Sequence, residues 1–305
     1  MKRGHSIDWF WKPIVSFWAQ YAEIIVCSIF INLLALAVPL YTMNVYDRVV
    51  INFAEDTLYV LTSGVIAALI FDVFFKLTRS YILEKIALST SVKHDYDLME
   101  RLVHIKDVDL GLSIGEKSGL FRELQAIREF YAARLVPTLV DMPFFLLFTF
   151  VIYMIAPPLA AVPITAALFI LVINLLAQIP LNRSTAENFT TTQSKSKLLV
   201  ELLRGIYTIK VLNAAGFKLL QWKLAAENAS ETAFSHNMLS SFVANLSQLV
   251  TQVAYVCTIF LGVYLISDGS LTIGGLIACS IIYSRAVAPV AGFSSVLTRL
   301  KQSRD

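Results

Sequence analysis

The sequence predicts an all-α membrane protein: six transmembrane helices that carry long cytoplasmic extensions. Three observations predict it. Hydrophobic residues make up 57% of the chain and charged residues only 15%, where a soluble protein carries about 25% charged. Six apolar stretches are each long enough to cross a bilayer, which takes about 20 residues of helix. The Lys and Arg residues collect in segments that alternate with short hairpins nearly free of them.

The elements follow in order. Residues 1–20 read as an N-terminal interfacial segment and 21–305 as the transmembrane domain. Within the first, "WFWKPIVSFW" suits a short helix in the headgroup layer, where indoles and a lysine are both stable. Lys2, Arg3 and the following apolar run imitate a signal peptide, with Ala35-Leu36-Ala37 as a cleavage site. The run is too long for that and continues past the alanines, so no cleavage is expected. The six spans are expected near 22–46, 58–77, 135–156, 159–179, 238–266 and 272–297. Pro157-Pro158 turns the chain between spans three and four, and "SDGSL" between spans five and six.

Nearly all of the 25 Lys and Arg residues precede span one, follow span six, or lie in two long connections, about 79–134 and 181–237. Cytoplasmic segments hold the excess of basic residues. Both termini and both long connections are therefore expected in the cytoplasm of a bacterial inner membrane, with the short hairpins outside. Each connection is too short and too polar for a domain with its own core. At 1.5 Å per residue, about 25 residues of helix reach nearly 40 Å. The simplest arrangement is a pair of helices joined by a short transverse piece, whose tip needs a partner.

The chemistry-bearing residues are few. The net charge of +3 gives no reason to expect nucleic acid. Cys27, Cys257 and Cys279 lie in apolar runs and read as small buried hydrophobes. The four histidines have no metal-ligand spacing. "GLSIGEKSGLF" resembles a phosphate loop, but Glu116 separates Gly115 from Lys117 and no strand precedes it. Charges within spans are costly, so each is a candidate. Asp72 and Lys76 are spaced to pair on one helix face. Asp141 stands early in span three beside Met142-Pro143. Arg285 lies near the middle of span six and must face a wet cavity or an acidic partner. For Asp141 and Arg285, lining a translocation path and holding the bundle together both stand open. Pro39, Pro143, Pro163 and Pro289 are the candidate kinks. Asn44, Tyr46, Asp47 and Arg48 close span one on its outer side. They either cap that helix and fix the first hairpin, or contact a periplasmic partner.

These residues resemble a known family. The pattern of spans and loops is similar to the transmembrane domain of an ABC exporter with the type 1 fold. "INLLALAVPLYTMNVYDRVV" and "TLYVLTSGV" resemble the type I protein-secretion branch, which exports RTX toxins, adhesins and proteases. "GEKSGLFRELQAIREF" resembles the segment after that family's first coupling helix. "ELLRGIYTIKVLNAAGFKLLQW" resembles its second intracellular loop, and "LTIGGLIACSIIYSRAVAPV" its sixth span. The resemblance implies a first coupling helix at 108–114, with Val108, Asp109, Leu110 and Leu112. It implies a second at 208–217, with Thr208, Lys210, Asn213 and Phe217. Ala215 stands where the family commonly has a glutamate, so a salt bridge there is not expected. The resemblance also implies a homodimer and a nucleotide-binding domain, fused or separate, which would hold ATP and Mg. It further implies a periplasmic adaptor, an outer-membrane channel and a polypeptide substrate. No Walker A, signature or Walker B motif occurs before Asp305, so no catalytic, cofactor or metal residues are expected here. Two rivals stay open: an exporter of lipid or a small molecule, and a membrane scaffold or sensor that moves nothing.

Overall fold

The computed structural model describes residues 18–104 and 136–302, and every regular element within them is helical. Six of these stretches are long and apolar enough to cross a membrane. Span one consists of α1 (Trp18–Leu34) and α2 (Ala37–Asn44), separated by a turn at residues 35–36. Pro39 accounts for the break. It has no N–H for the carbonyl of Ala35, and its ring crowds that carbonyl. The chain then widens into a π-helical turn, Val45–Val49, and finishes with one more turn, Val50–Asn52. Span one therefore continues through the polar cluster instead of stopping at residue 46. Phe53, in the left-handed conformation at φ 50°, reverses the chain.

The helix that follows, α3 (Glu55–His104), has 50 residues. That is far more than the roughly 20 a bilayer requires. Span three is broken at Met142-Pro143 into α4 (Val136–Asp141) and α5 (Phe144–Ile155). Past the break, the N–H groups of Phe145 and Leu146 reach back three residues, to Met142 and Pro143. A 3-10 turn, Pro157–Ala160, leads into α6 (Ala161–Arg204). Pro163 sits in the first turn of α6, where no N–H is needed, so it makes no kink. Pro180 lies inside α6 and Pro289 inside the last helix, and neither ends its helix. The short α7 (Ile206–Val211), the 53-residue α8 (Ala215–Ser267) and α9 (Ile273–Gln302) complete the chain.

The chain divides into two compact units. The first comprises Met1–Val92, Tyr131–Leu171 and Leu249–Val296. Its core joins Phe148, Ile152, Leu159 and Ile170 to Cys279, Ile282, Tyr283, Ala286 and Val287. Spans three and four thus pack on one face of span six. Span five is latched to the same core, because the Tyr283 hydroxyl donates to the Thr251 carbonyl at 2.9 Å. A smaller cluster of Ile24, Ile82 and Ile86 joins spans one and two. Lipid is as apolar as leucine, so such cores cohere by close packing and hydrogen bonding more than by exclusion of water.

The second unit comprises Lys93–Phe130, Val172–Gln248 and Leu297–Asp305. In it α6 and α8 run antiparallel, joined by polar rungs. Asn174 Nδ2 donates to Ser247 Oγ at 3.2 Å, Thr185 Oγ1 lies 3.3 Å from His236 Nδ1, and Thr191 and Thr232 share a 2.7 Å hydroxyl bond. Farther along, the Lys195 ammonium lies over the Trp222 ring. Cysteines replacing Thr191 and Thr232 are expected to join on mild oxidation, read as a closed loop after proteolysis between them. Cross-linking only between separate chains would contradict this pairing.

Candidate functional site

Three polar or exposed features stand out. The first is at the C-terminal end of span one, beside the hairpin that leads to span two. The π-turn aims Asp47 at α9, whose first N–H groups have no partner within their own helix. Asp47 Oδ1 accepts from the Gly274 N–H at 2.9 Å, and Oδ2 accepts from the Thr272 hydroxyl at 2.6 Å. Thr272 Oγ1 in turn accepts from the Gly275 N–H at 3.0 Å, the ordinary N-cap bond. Asp47 therefore caps span six, not its own helix. A carboxylate at that end also complements the helix dipole. Gly274 permits the approach: a Cβ there would come within 2.5 Å of the Met43 carbonyl oxygen and 2.7 Å of the Asp47 carboxyl. The rest of the cluster behaves differently. Asn44 donates to the Leu40 carbonyl of its own helix, and Tyr46 and Arg48 are exposed.

Asp47→Ala is expected to cost about 1–3 kcal/mol, the value of charge-assisted bonds left unmade. Gly274→Ala is expected to destabilise the same joint by collision. Thermal unfolding in detergent reads both effects. Two unchanged midpoints would show that the joint carries no load.

The second feature lies toward the opposite end of spans one to three. Arg79 Nη1 donates to both oxygens of Asp141, at 3.0 and 3.1 Å, and to the buried Ser28 hydroxyl at 3.0 Å. One guanidinium thus ties spans one, two and three together. Asp141 occupies the last position of α4, directly before the Pro143 break. Buried Asn32 donates to the Ser28 carbonyl. About two turns back along α3, Asp72 is buried and pairs with Lys76 through Oδ2, while its Oδ1 has no protein donor. Sequence spacing found the Asp72–Lys76 pair. It placed Arg79 at the start of a cytoplasmic connection and so missed the partner of Asp141. The available signal was the helical face: Asp72, Phe75, Arg79, Ile82 and Ile86 recur every three or four residues.

The third feature is the tip of the second unit. Gly205 ends α6, α7 follows, and Asn213 turns the chain at φ 52°, a conformation asparagine tolerates better than most side chains. The expected range 208–217 straddles this tip. Thr208 and Lys210 lie in α7, Asn213 in the turn and Phe217 in the first turn of α8. All four are exposed. So are Tyr207 and Val211, each 83% exposed, and Leu212, which the sequence reading did not single out. An apolar group of this kind on one turn marks a surface that a partner covers. Val108, Asp109, Leu110 and Leu112 lie outside the described residues. Arg285 is exposed on α9, while Ile282, Tyr283 and Ala286 beside it are buried. Among the described residues no three of His, Cys, Asp and Glu gather as a metal site.

Comparison with known proteins agrees with this geometry. The family model of the ABC transporter transmembrane region matches residues 21–289. The chain belongs to that family and is a multi-pass membrane protein. It is 27% identical over 290 residues to the toxin RTX-I translocation ATP-binding protein of Actinobacillus pleuropneumoniae, covering 93% of this chain and 40% of the relative. It is 26% identical over 307 residues to the alpha-hemolysin translocation ATP-binding protein HlyB of Escherichia coli, covering 97% and 42%. The chain thus spans less than half the length of these relatives. Among solved structures, a bacterial Atm1-family ABC exporter with ATP bound superposes with a TM-score of 0.79 at 14% identity. That match covers 94% of this chain and 51% of the other, and shows a shared fold.

Proposed function

We propose that this chain is the membrane-spanning part of an ATP-driven exporter that secretes a polypeptide by the type I route. The observation that carries the reading is the likeness to toxin translocation proteins, which runs along 93% of the chain. The exposed tip at Ile206–Val211 supports it, since an apolar turn beside Lys210 is a surface for a folded domain to grip. In this reading two copies form one pathway. A nucleotide-binding domain, fused or separate, holds ATP and Mg and presses on α7. ATP shifts the conformational equilibrium only through its different affinity for the two states. The chain itself does no chemistry; it converts that difference into a change in the spans. The second coupling surface comprises Thr208, Lys210, Asn213 and Phe217, and the first is expected around Val108, Asp109, Leu110 and Leu112. Both termini lie in the cytoplasm of a bacterial inner membrane, and a periplasmic adaptor and an outer-membrane channel complete the route.

The test supplies the nucleotide-binding domain, in trans or joined after Asp305, and measures export of an RTX-type polypeptide bearing a C-terminal secretion signal. ATP-dependent appearance of that polypeptide outside the cell is expected. Association without export of any polypeptide, or no association at all, would contradict the proposal.

A further inference from the structure

We propose that the polar edge of α8 inside the membrane, centred on Gln252 and Tyr255, lines the export pathway and holds an extended polypeptide by its main chain. This inference rests on the exporter reading and adds to it the surface that touches the cargo.

The starting observation is a contrast among the spans. The exposed side chains along the middle of span one include Ile25, Val26, Ile29, Phe30 and Leu33, and those of span four include Ile164, Leu168, Phe169, Leu175 and Leu176. Span two is similar, with Ile66, Ile70, Phe71, Phe74 and Leu77 outward. Two exposed hydroxyls on these faces, Ser63 and Thr165, donate to the carbonyls of Val60 and Val162 in their own helices. These faces suit lipid.

Span five is different. Gln252 and Tyr255 are exposed. A step of three residues keeps both on one edge of the helix. The neighbouring face of α8 carries Leu249, Val253, Val256 and Phe260, also exposed but apolar. One helix thus presents a lipid face and, beside it, a polar edge. A carboxamide left without partners in hydrocarbon costs several kcal/mol, so this edge faces water and not lipid.

Span six agrees. The Tyr283 hydroxyl bonds the Thr251 carbonyl, and the rings of Tyr255 and Tyr283 lie 6.3 Å apart. These contacts set Arg285, which is exposed, at the depth of Gln252 and Tyr255; Ser284, also exposed, donates to the Ser280 carbonyl of its own helix. A permanent cation at that depth also requires water or an anion beside it.

The chemistry of the edge selects its occupant. On α8 it holds no charge, only the Gln252 carboxamide and the Tyr255 hydroxyl, both of which donate and accept hydrogen bonds. An extended chain offers one N–H and one C=O per residue, about every 3.3 Å, whatever its sequence. Carboxamides can therefore grip and release successive residues of any sequence, whereas a row of fixed charges would hold some segments and repel others. A lipid cargo would need an apolar lining instead.

The test places a photocrosslinking residue at Gln252 or Tyr255, and as controls at Val253 or Val256. The chain is used with its nucleotide-binding domain, in membranes exporting an RTX-type polypeptide that a fused fast-folding domain stalls in transit. Cross-links to the polypeptide from Gln252 and Tyr255, and none from the controls, are expected. Cross-links from Gln252 to a second copy of the chain or to lipid, or none to the polypeptide while export continues, would overturn the proposal and leave the exporter reading intact. Absence of polypeptide export with every variant and with the unsubstituted chain would overturn both.

Discussion

Arg79→Ala is expected to destabilise the transmembrane unit by about 2–4 kcal/mol, more than any other single substitution in the described charged clusters. The reason is asymmetry. The substitution removes one guanidinium but leaves Asp141 charged, at 25% side-chain exposure, with both of its close donor contacts gone. It also strips the buried Ser28 hydroxyl of its donor. The figure stands below the full penalty of a buried pair because both partners keep some contact with solvent. Asp141→Asn alone is expected to cost less, since the carboxamide stays neutral. In Arg79→Ala with Asp141→Asn, the combined loss is expected to fall short of the sum. Thermal unfolding of the four proteins in detergent gives the coupling energy directly. Strict additivity would show that the pair does not hold the three spans together.

The second large effect concerns the tip. Tyr207→Asp together with Val211→Asp is expected to uncouple ATP hydrolysis from export while leaving the transmembrane unit folded. Both side chains are 83% exposed, so neither supports this chain's own core. Any cost of the change falls on an interface, where a central aromatic anchor contributes about 2 kcal/mol or more. The measurement is polypeptide exported per ATP hydrolysed, beside the melting temperature. A fall in that ratio with unchanged melting is the expected result. Normal export would move the coupling surface elsewhere.

Much of this architecture was legible in the sequence because lipid leaves little freedom. A chain crossing a bilayer must satisfy its backbone within one helix, and that helix must be long and apolar. The spans, and the long helices α3, α6 and α8 that overrun them, follow from that constraint. What escaped has a common cause: it depends on which helices become neighbours. "NVYDRVV" read locally as the end of a helix, yet Asp47 bonds Gly274, 227 residues along the chain. Nothing local to the cluster names that partner. Asp141 was conspicuous in its span, but Arg79 was hidden among the basic residues of a connection. Counting positive charges sets orientation without telling where a helix leaves the membrane. The expected range 208–217 takes in the second half of α7, the turn and the start of α8, and Gly205 and Asn213 punctuate α7 on either side. Arg285 was recognised as out of place in lipid. That its neighbour Ser284 is also exposed, at the depth of Gln252, appears only once Tyr283 and Thr251 fix how the two helices meet.

The whole mechanism requires the α7 tip to lie on the cytoplasmic side, where ATP is. A single cysteine replacing Tyr207, in a chain freed of Cys27, Cys257 and Cys279, tests this with a membrane-impermeant thiol reagent. A cysteine replacing Asp268, in the hairpin after span five, serves as the opposite marker. The account predicts that Tyr207→Cys reacts in inside-out vesicles and stays unlabelled in intact spheroplasts, with the reverse for Asp268→Cys. Labelling of Tyr207→Cys from the outer face of spheroplasts would contradict it.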